Sequence, residues 1–181
     1  GALREWTAMD LMNGVIPPPG EEELAQGLRA FMAQAARMGI TAVHDAMVSE
    51  RFLRVYERMD AAGELNLRVD ASLLSEPGGD SVEHLRELRQ SVRGRHVRAG
   101  AAKLFLDGVM ESHTAWMLEP YADRPGFRGK LVWEEEAFRR QVLLLDQAGF
   151  QLHIHAIGDG AIRLALDSLE GARRAHGLRD A

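Results

Sequence analysis

Apolar residues recur along this chain in a repeating order: a stretch at helical spacing, a glycine, then a short apolar run. The first helical stretch opens at Glu21-Glu22-Glu23, where acids complement the helix dipole, and its stripe reads Leu24, Leu28, Phe31, Ala35 and Met38. Gly39 is its stop, and 40–43 reads as a strand. The second has Ser49 as N-cap, a stripe of Phe52, Val55, Tyr56 and Met59, Gly63 as stop, and a strand over 65–73. The third has Asp80 and Glu83 at capping-box spacing, then Val82, Leu85, Leu88 and Val92, then Gly94 and a strand over 101–106. Residues 107–132, with Pro120, Pro125, Gly126 and Gly129, show no period. A fourth helix runs from Glu134 to Gly149, followed by a strand over 150–155, and a last helix covers about 159–176.

Helices alternating with short strands predict parallel pairing through right-handed crossovers, so the fold class is α/β. Four strands are visible, whereas a closed (β/α)8 barrel needs eight and ~250 residues. The chain therefore reads as a small open sheet or as about half of a barrel. Residues 1–20 end in Gly14-Val15-Ile16-Pro17-Pro18-Pro19-Gly20 and read as an extended lead-in to a domain over 21–181.

Composition narrows the class further. The chain has 181 residues, with 22 basic against 27 acidic, a net charge of −5 and no cysteine. That length suits one domain with its own core. The absence of cysteine excludes disulfides and thiolate metal sites, and the spread of the arginines gives no nucleic-acid footprint. No apolar run exceeds four residues, so the expectation is no membrane span and a cytoplasmic location. The chain opens at Gly1 without an initiator Met and stops at Ala181 without a polar tail, which predicts a processed product or a piece of a longer protein.

In α/β folds the working residues sit at the carboxyl ends of strands. In the fourth strand, Leu152, Ile154 and Ala156 form an apolar face and Gln151, His153 and His155 the other. Two imidazoles on one strand face suit a divalent metal, although one core histidine and one surface histidine fit the same pattern. In the third strand, Ala102, Leu104 and Leu106 face one way and Ala101, Lys103, Phe105 and Asp107 the other. Lys103 is either a solvated lysine on an edge strand or, if the strand is covered on both sides, paired or altered at a metal centre. Carboxylation by carbon dioxide would make it an anionic oxygen ligand. His44-Asp45 ends the first strand in this reading, with only one of the two facing inward. His113, in Glu111-Ser112-His113-Thr114, lies on a loop able to reach a substrate. His84, His96 and His176 read as solvated. No P-loop or nucleophile elbow is present, and Gly158-Asp159-Gly160 is too short for a dinucleotide fingerprint.

Three stretches resemble a known family. Lys103-Leu104-Phe105-Leu106-Asp107-Gly108-Val109-Met110-Glu111-Ser112, continuing through Thr114-Ala115 to Leu118-Glu119-Pro120-Tyr121, resembles the middle of the YtcJ-like metal-dependent amidohydrolases. So do Leu152-His153-Ile154-His155-Ala156-Ile157-Gly158-Asp159-Gly160-Ala161 and Gly39-Ile40-Thr41-Ala42-Val43-His44-Asp45-Ala46. The resemblance covers nearly the whole chain in the right order. It implies a (β/α)8 barrel of which this chain holds strands two to five, and one or two divalent cations, zinc first among them. It implies hydrolysis of an amide or related bond by metal-activated water. Lys103 takes the place of the family's often carboxylated lysine, and His155 that of its fifth-strand histidine ligand. His153, Asp107 and His113 become substrate-side or supporting residues.

The departures carry expectations of their own. The family's first-strand His-x-His pair belongs before this chain, and its sixth-strand histidine and proton-shuttling aspartate after it. An arginine is usual where His113 and Gly160 stand here. The leading expectation is a central fragment of a hydrolase of non-peptide carbon–nitrogen bonds, such as N-acyl or N-formyl amines, inactive in isolation. The rivals are a non-catalytic half-barrel for binding or oligomerisation, and a phosphoester or lactone hydrolase on the same scaffold. Open sheet edges predict a homodimer or larger assembly.

Overall fold

The computed structural model describes residue 9 and residues 11–79 and 81–178. Its elements alternate as expected: α1 (Glu21–Arg37), β1 (Ala42–Val48), α2 (Glu50–Ala61), β2 (Arg68–Leu74), α3 (Val82–Ser91), β3 (Val97–Phe105), α4 (Glu135–Gln147), β4 (Gln151–His155) and α5 (Asp159–His176). The strands form one sheet in the order β1-β2-β3-β4. The lead-in differs from its expected extended form: residues 9 and 11–13 are helical, and the N–H groups of Val15 and Ile16 close the turn on the Met12 carbonyl. Only 17–20 lack regular structure there, where three prolines remove the backbone donors.

Residues 19–103 form one compact unit. Within it β1 pairs with β2 and β2 with β3, both in parallel, with register shifts between Asp45 and Val48 and between Asp70 and Ser72. Helices α2 and α3 make the crossovers that parallel neighbours require. Ala71, Ser72 and Leu73 are successive and all buried, so β2 is covered on both faces, as parallel strands usually are. Ser49 caps α2 by accepting from the Phe52 N–H at 3.4 Å. For α3 the cap is Ser81, which accepts from the His84 N–H at 3.1 Å. Asp80, the expected cap, lies outside the described residues. Gly94 does not stop α3, which ends at Ser91; it is small because Asp60 Oδ2 would stand 1.9 Å from any Cβ there.

The stripe of α1 is turned from the expected one. Ala25, Leu28, Met32 and Ala35 are buried, while Phe31 is 45% exposed and Met38 is 66% exposed. Both sets have helical spacing, and only packing chooses between faces that differ by one residue. In α2 the reading missed Leu53, which is fully buried. β1 runs through His44 and Asp45 to Val48, so these two lie within the strand and not at its end. β3 starts at Val97, four residues before the expected strand.

The second compact unit contains residues 104–178 together with the described residues before Pro19. β3 ends inside it, and the Leu106 N–H donates to the His155 carbonyl at 2.9 Å. Phe138, Val142 and Leu145 of α4 are fully buried. Residues 107–132 are a loop with one 3-10 turn, Met110–Ser112, in keeping with their lack of period. Its fold is held by polar anchors: Tyr121 donates its hydroxyl to the Ala115 carbonyl at 2.7 Å, and the Val132 N–H returns to the Leu106 carbonyl at 2.9 Å.

Candidate metal centre

Lys103 lies in β3, 6% exposed, between Ala102 and Leu104, which are both fully buried. Its carbonyl accepts from the Ser75 N–H at 2.8 Å. The strand is thus covered on both sides here, which removes the solvated edge position from the alternatives. Burial pulls the Lys103 amine below the usual lysine value. The neutral amine is the form that adds carbon dioxide, so the donor chemistry at this position fits a carbamate.

The face that carries Lys103 is marked by a pair the sequence reading did not find. His44 Nε2 and Ser72 Oγ are 2.6 Å apart, and Ser72 is fully buried. Ser72 pairs in register with Ala101, two residues before Lys103 and on the same face. Asp45 points the other way and accepts from the Tyr56 hydroxyl of α2 at 2.8 Å. Alternation predicted that only one of His44 and Asp45 faces inward, and His44 is the one opposite the helix. Burial first, then the Asp45 charge, raises the Tyr56 hydroxyl above its ordinary value.

His155 ends β4. Its Nε2 lies 3.1 Å from the Gly108 carbonyl, and its ring stands 5.3 Å from Phe105, tilted by 42°. A carbonyl only accepts, so Nε2 carries a proton, and in the neutral tautomer that this selects the lone pair is on Nδ1. That nitrogen suits a metal. His153 lies two residues earlier on the same strand face and is half-buried. The opposite face, Leu152, Ile154 and Ala156, is only half-buried as well, so it is less covered than its apolar character suggested.

Asp107 is 1% exposed and both its oxygens are engaged by backbone. Oδ2 accepts from the N–H groups of Trp116 and Gly158, each at 2.8 Å, and Oδ1 from Ile157 at 2.9 Å. It is a clamp between the loops that follow β3 and β4. His113 has a φ of +58°. Its Nε2 meets Asp123 Oδ2 at 2.8 Å, its ring lies 4.9 Å from Tyr121, and its buried Nδ1 has no hydrogen-bond partner among the described residues. The hydrogen bond from His113 holds the Asp123 carboxyl below the usual range. Within the second unit, Asp107 and His155 are brought together through Gly108, and His113 sits farther along the loop.

The histidines expected to be solvated all have carboxylate partners: Glu50 for His84, Asp60 for His96 and Asp146 for His176. These three partners are at least thirty positions away, although His84 also lies 3.8 Å from Glu87, three positions on. Gly160, where the family resemblance has arginine, is explained by Trp116. A Cβ at Gly160 would stand 2.9 Å from Trp116 Cε3, and the Arg128 guanidinium lies 5.7 Å over the same indole. A cleft of about 450 Å³ at the ends of β1 and β2, lined by Glu50, Glu76 and Leu74, contains none of the expected site residues. Among the described residues no three His, Cys, Asp or Glu side chains cluster as a metal site would require. No helix there is long and apolar enough to cross a membrane.

The chain is similar to known proteins. The chain is 29% identical to YtcJ of Bacillus subtilis over 178 residues, which is 96% of this chain and 33% of YtcJ. It is 28% identical to the N-substituted formamide deformylase of Arthrobacter pascens, covering 81% of this chain and 28% of that enzyme. The crystal structure of an uncharacterized metal-dependent hydrolase from Pyrococcus furiosus superposes with a TM-score of 0.77 at 26% identity, over 94% of this chain and 36% of that one. The expected fold class, four parallel strands alternating with helices as part of a (β/α)8 barrel, is thereby borne out. The chain spans about a third of the length of these relatives. The model of the amidohydrolase family matches residues 1–181 throughout, and the chain belongs to that family.

Proposed function

We propose that this chain supplies part of the metal centre of a hydrolase of non-peptide carbon–nitrogen bonds, and that Lys103 and His155 each serve as a ligand in the complete protein. The observation that carries this reading is Lys103, 6% exposed in a strand covered on both faces. Burial there disfavours the ammonium relative to the neutral amine, and the anionic carbamate formed from that amine would be compensated by a facing cation. His155 adds an imidazole whose Nε2 is engaged by the Gly108 carbonyl at 3.1 Å, which makes Nδ1 the nitrogen that would ligate. The cation, zinc in this proposal, would supply Lewis-acid polarisation and an activated water. N-acyl or N-formyl amines are the proposed substrates, a class supported by the similarity to a formamide deformylase. His153 on its strand face and His113 on the loop after β3 border the substrate. The catalytic acid–base group and the remaining ligands would come from other parts of the complete protein, which locates in the cytoplasm and assembles as a homodimer or larger oligomer.

Carboxylation is the test closest to that observation. The amine adds carbon dioxide to give an N-carboxylate and releases one proton. In ¹³C-bicarbonate the wild-type chain should show a carbamate carbon signal, enhanced by zinc and missing in Lys103→Arg. Absence of that signal together with absence of zinc uptake rejects the ligand role and leaves the scaffold reading. Turnover of an N-formyl amine by the 181-residue chain alone, abolished by His155→Ala, would instead show that the chain is a complete catalyst. A monomer in sedimentation rejects the assembly.

A further inference from the structure

Two backbone carbonyl contacts hold His155, and both come from the segment around Asp107. The His155 carbonyl accepts from the Leu106 N–H at 2.9 Å, and its Nε2–H donates to the Gly108 carbonyl at 3.1 Å. Asp107 lies between these two residues and is fixed by three N–H donors, from Trp116, Ile157 and Gly158. Gly108 is further fixed by its own N–H, which donates to the Thr114 carbonyl at 3.1 Å. Rotation of the 106–108 peptides would therefore break the Asp107 clamp before it freed the imidazole.

We propose that Asp107 is a positioning residue which, through the Gly108 carbonyl, holds the His155 ring in one orientation with the proton on Nε2 and Nδ1 presented as the ligating atom. This rests on the ligand role proposed for His155 above. Metal-bound histidines commonly depend on such a partner on the other ring nitrogen, and losing it typically costs 10–100-fold in metal affinity. Here the partner is a main-chain carbonyl, so its placement falls to the neighbouring side chain. Only a carboxylate serves the three donors at once. An asparagine offers one carbonyl, and its amide group would face a backbone N–H.

The test begins on the metal-free wild-type chain with ¹⁵N–¹H correlation of the His155 ring. The expected result is a pyrrole-type Nε2 with a proton slow to exchange with water, and a pyridine-type Nδ1. A ring with the proton on Nδ1, or one averaging between tautomers with a freely exchanging proton, overturns the proposal without any variant. Asp107→Asn should release the Nε2 proton to rapid exchange, move both ring nitrogens toward averaged positions and weaken zinc binding about 10–100-fold. Tyr121→Phe removes another anchor of the same loop, the 2.7 Å bond to Ala115, and should leave the His155 ring signals and zinc binding unchanged. If Asp107→Asn keeps the protected proton and wild-type zinc affinity, Asp107 has only a structural role. Zinc titration separates the two claims: a wild-type ring with the expected tautomer whose Nδ1 signal ignores zinc refutes the ligand role and leaves the positioning intact.

Discussion

Asp60 grips His96 twice, accepting its backbone N–H on Oδ2 and its Nδ1–H on Oδ1, both at 2.8 Å. The carboxylate is 4% exposed and ties α2 to the start of β3. Burial raises its pKa, but hydrogen bonds from the His96 ring and from the N–H groups of His96 and Val97 outweigh it, and the net direction is downward. The unfolded carboxyl titrates near ~3.9. Between the two values the unfolded chain binds more protons, so stability rises with pH there. The contribution is complete above the unfolded value and lost as pH falls through the lowered folded one. Asp60→Asn should cost about 2 kcal/mol at pH 7, since hydrogen bonds to a charged group are lost. Urea unfolding from pH 7 to pH 3 should show the gap between wild type and variant closing in acid. A gap constant with pH would refute the account.

The two serine caps differ in geometry and should differ in energy. Ser81 Oγ is 3.1 Å from the His84 N–H, whereas Ser49 Oγ is 3.4 Å from the Phe52 N–H. Cap removal typically costs about 1 kcal/mol, and a longer bond contributes less. Ser81→Ala should therefore destabilise by about 1 kcal/mol and Ser49→Ala by roughly half of that. Chemical denaturation of both variants checks the order, and the reverse order would sink it.

Gly158 is required by a close approach, with its backbone in an ordinary extended conformation at φ −67°. A Cβ there would stand 2.0 Å from the Trp116 carbonyl oxygen and 2.5 Å from its carbon. Those are backbone atoms held by Asp107 and by the Ala161 N–H, so they cannot swing aside. Gly158→Ala should cost about 3 kcal/mol, at the upper end of overpacking, and should disturb the loop that Asp107 anchors. Gly171, in α5 with nothing within 4 Å of its Cβ position, serves as the control. Gly171→Ala should stabilise by up to about 1 kcal/mol through helix propensity. Thermal melts separate the two, and equal effects would refute the close-approach argument.

The legible parts of this molecule are those encoded locally. Helix–glycine–strand order, the Ser49 cap and the burial of Ala102 and Leu104 on one face of β3, with Leu106 just past its end, all follow from spacing and turn chemistry. The burial of Lys103 follows from the same alternation once both faces are covered. What was not legible depends on partners distant in sequence. The His44–Ser72 pair spans 28 positions and the bond from Ile157 to Asp107 spans 50. Asp107 was marked as a site residue by its motif, but its work as a clamp on three backbone N–H groups needs the loops that follow two different strands. His96 and Asp60 likewise had no shared local pattern.

The turned stripe of α1 gives the sharpest test of how packing overrides periodicity. Phe31 and Met32 are neighbours, and helical spacing admits either as the inward residue. Met32 is 5% exposed beside fully buried Ala25, whereas Phe31 is 45% exposed on a groove it shares with Val43 and Phe52. Truncating a buried methionine removes its transfer energy and leaves a cavity, for about 2–4 kcal/mol. Truncating a half-exposed phenylalanine removes less apolar contact and leaves no enclosed void, so the cost should stay below about 1 kcal/mol. Met32→Ala should therefore lower the urea midpoint far more than Phe31→Ala does. If Phe31→Ala proves the costlier, α1 packs through the face that spacing alone predicted, and something in solution covers the groove.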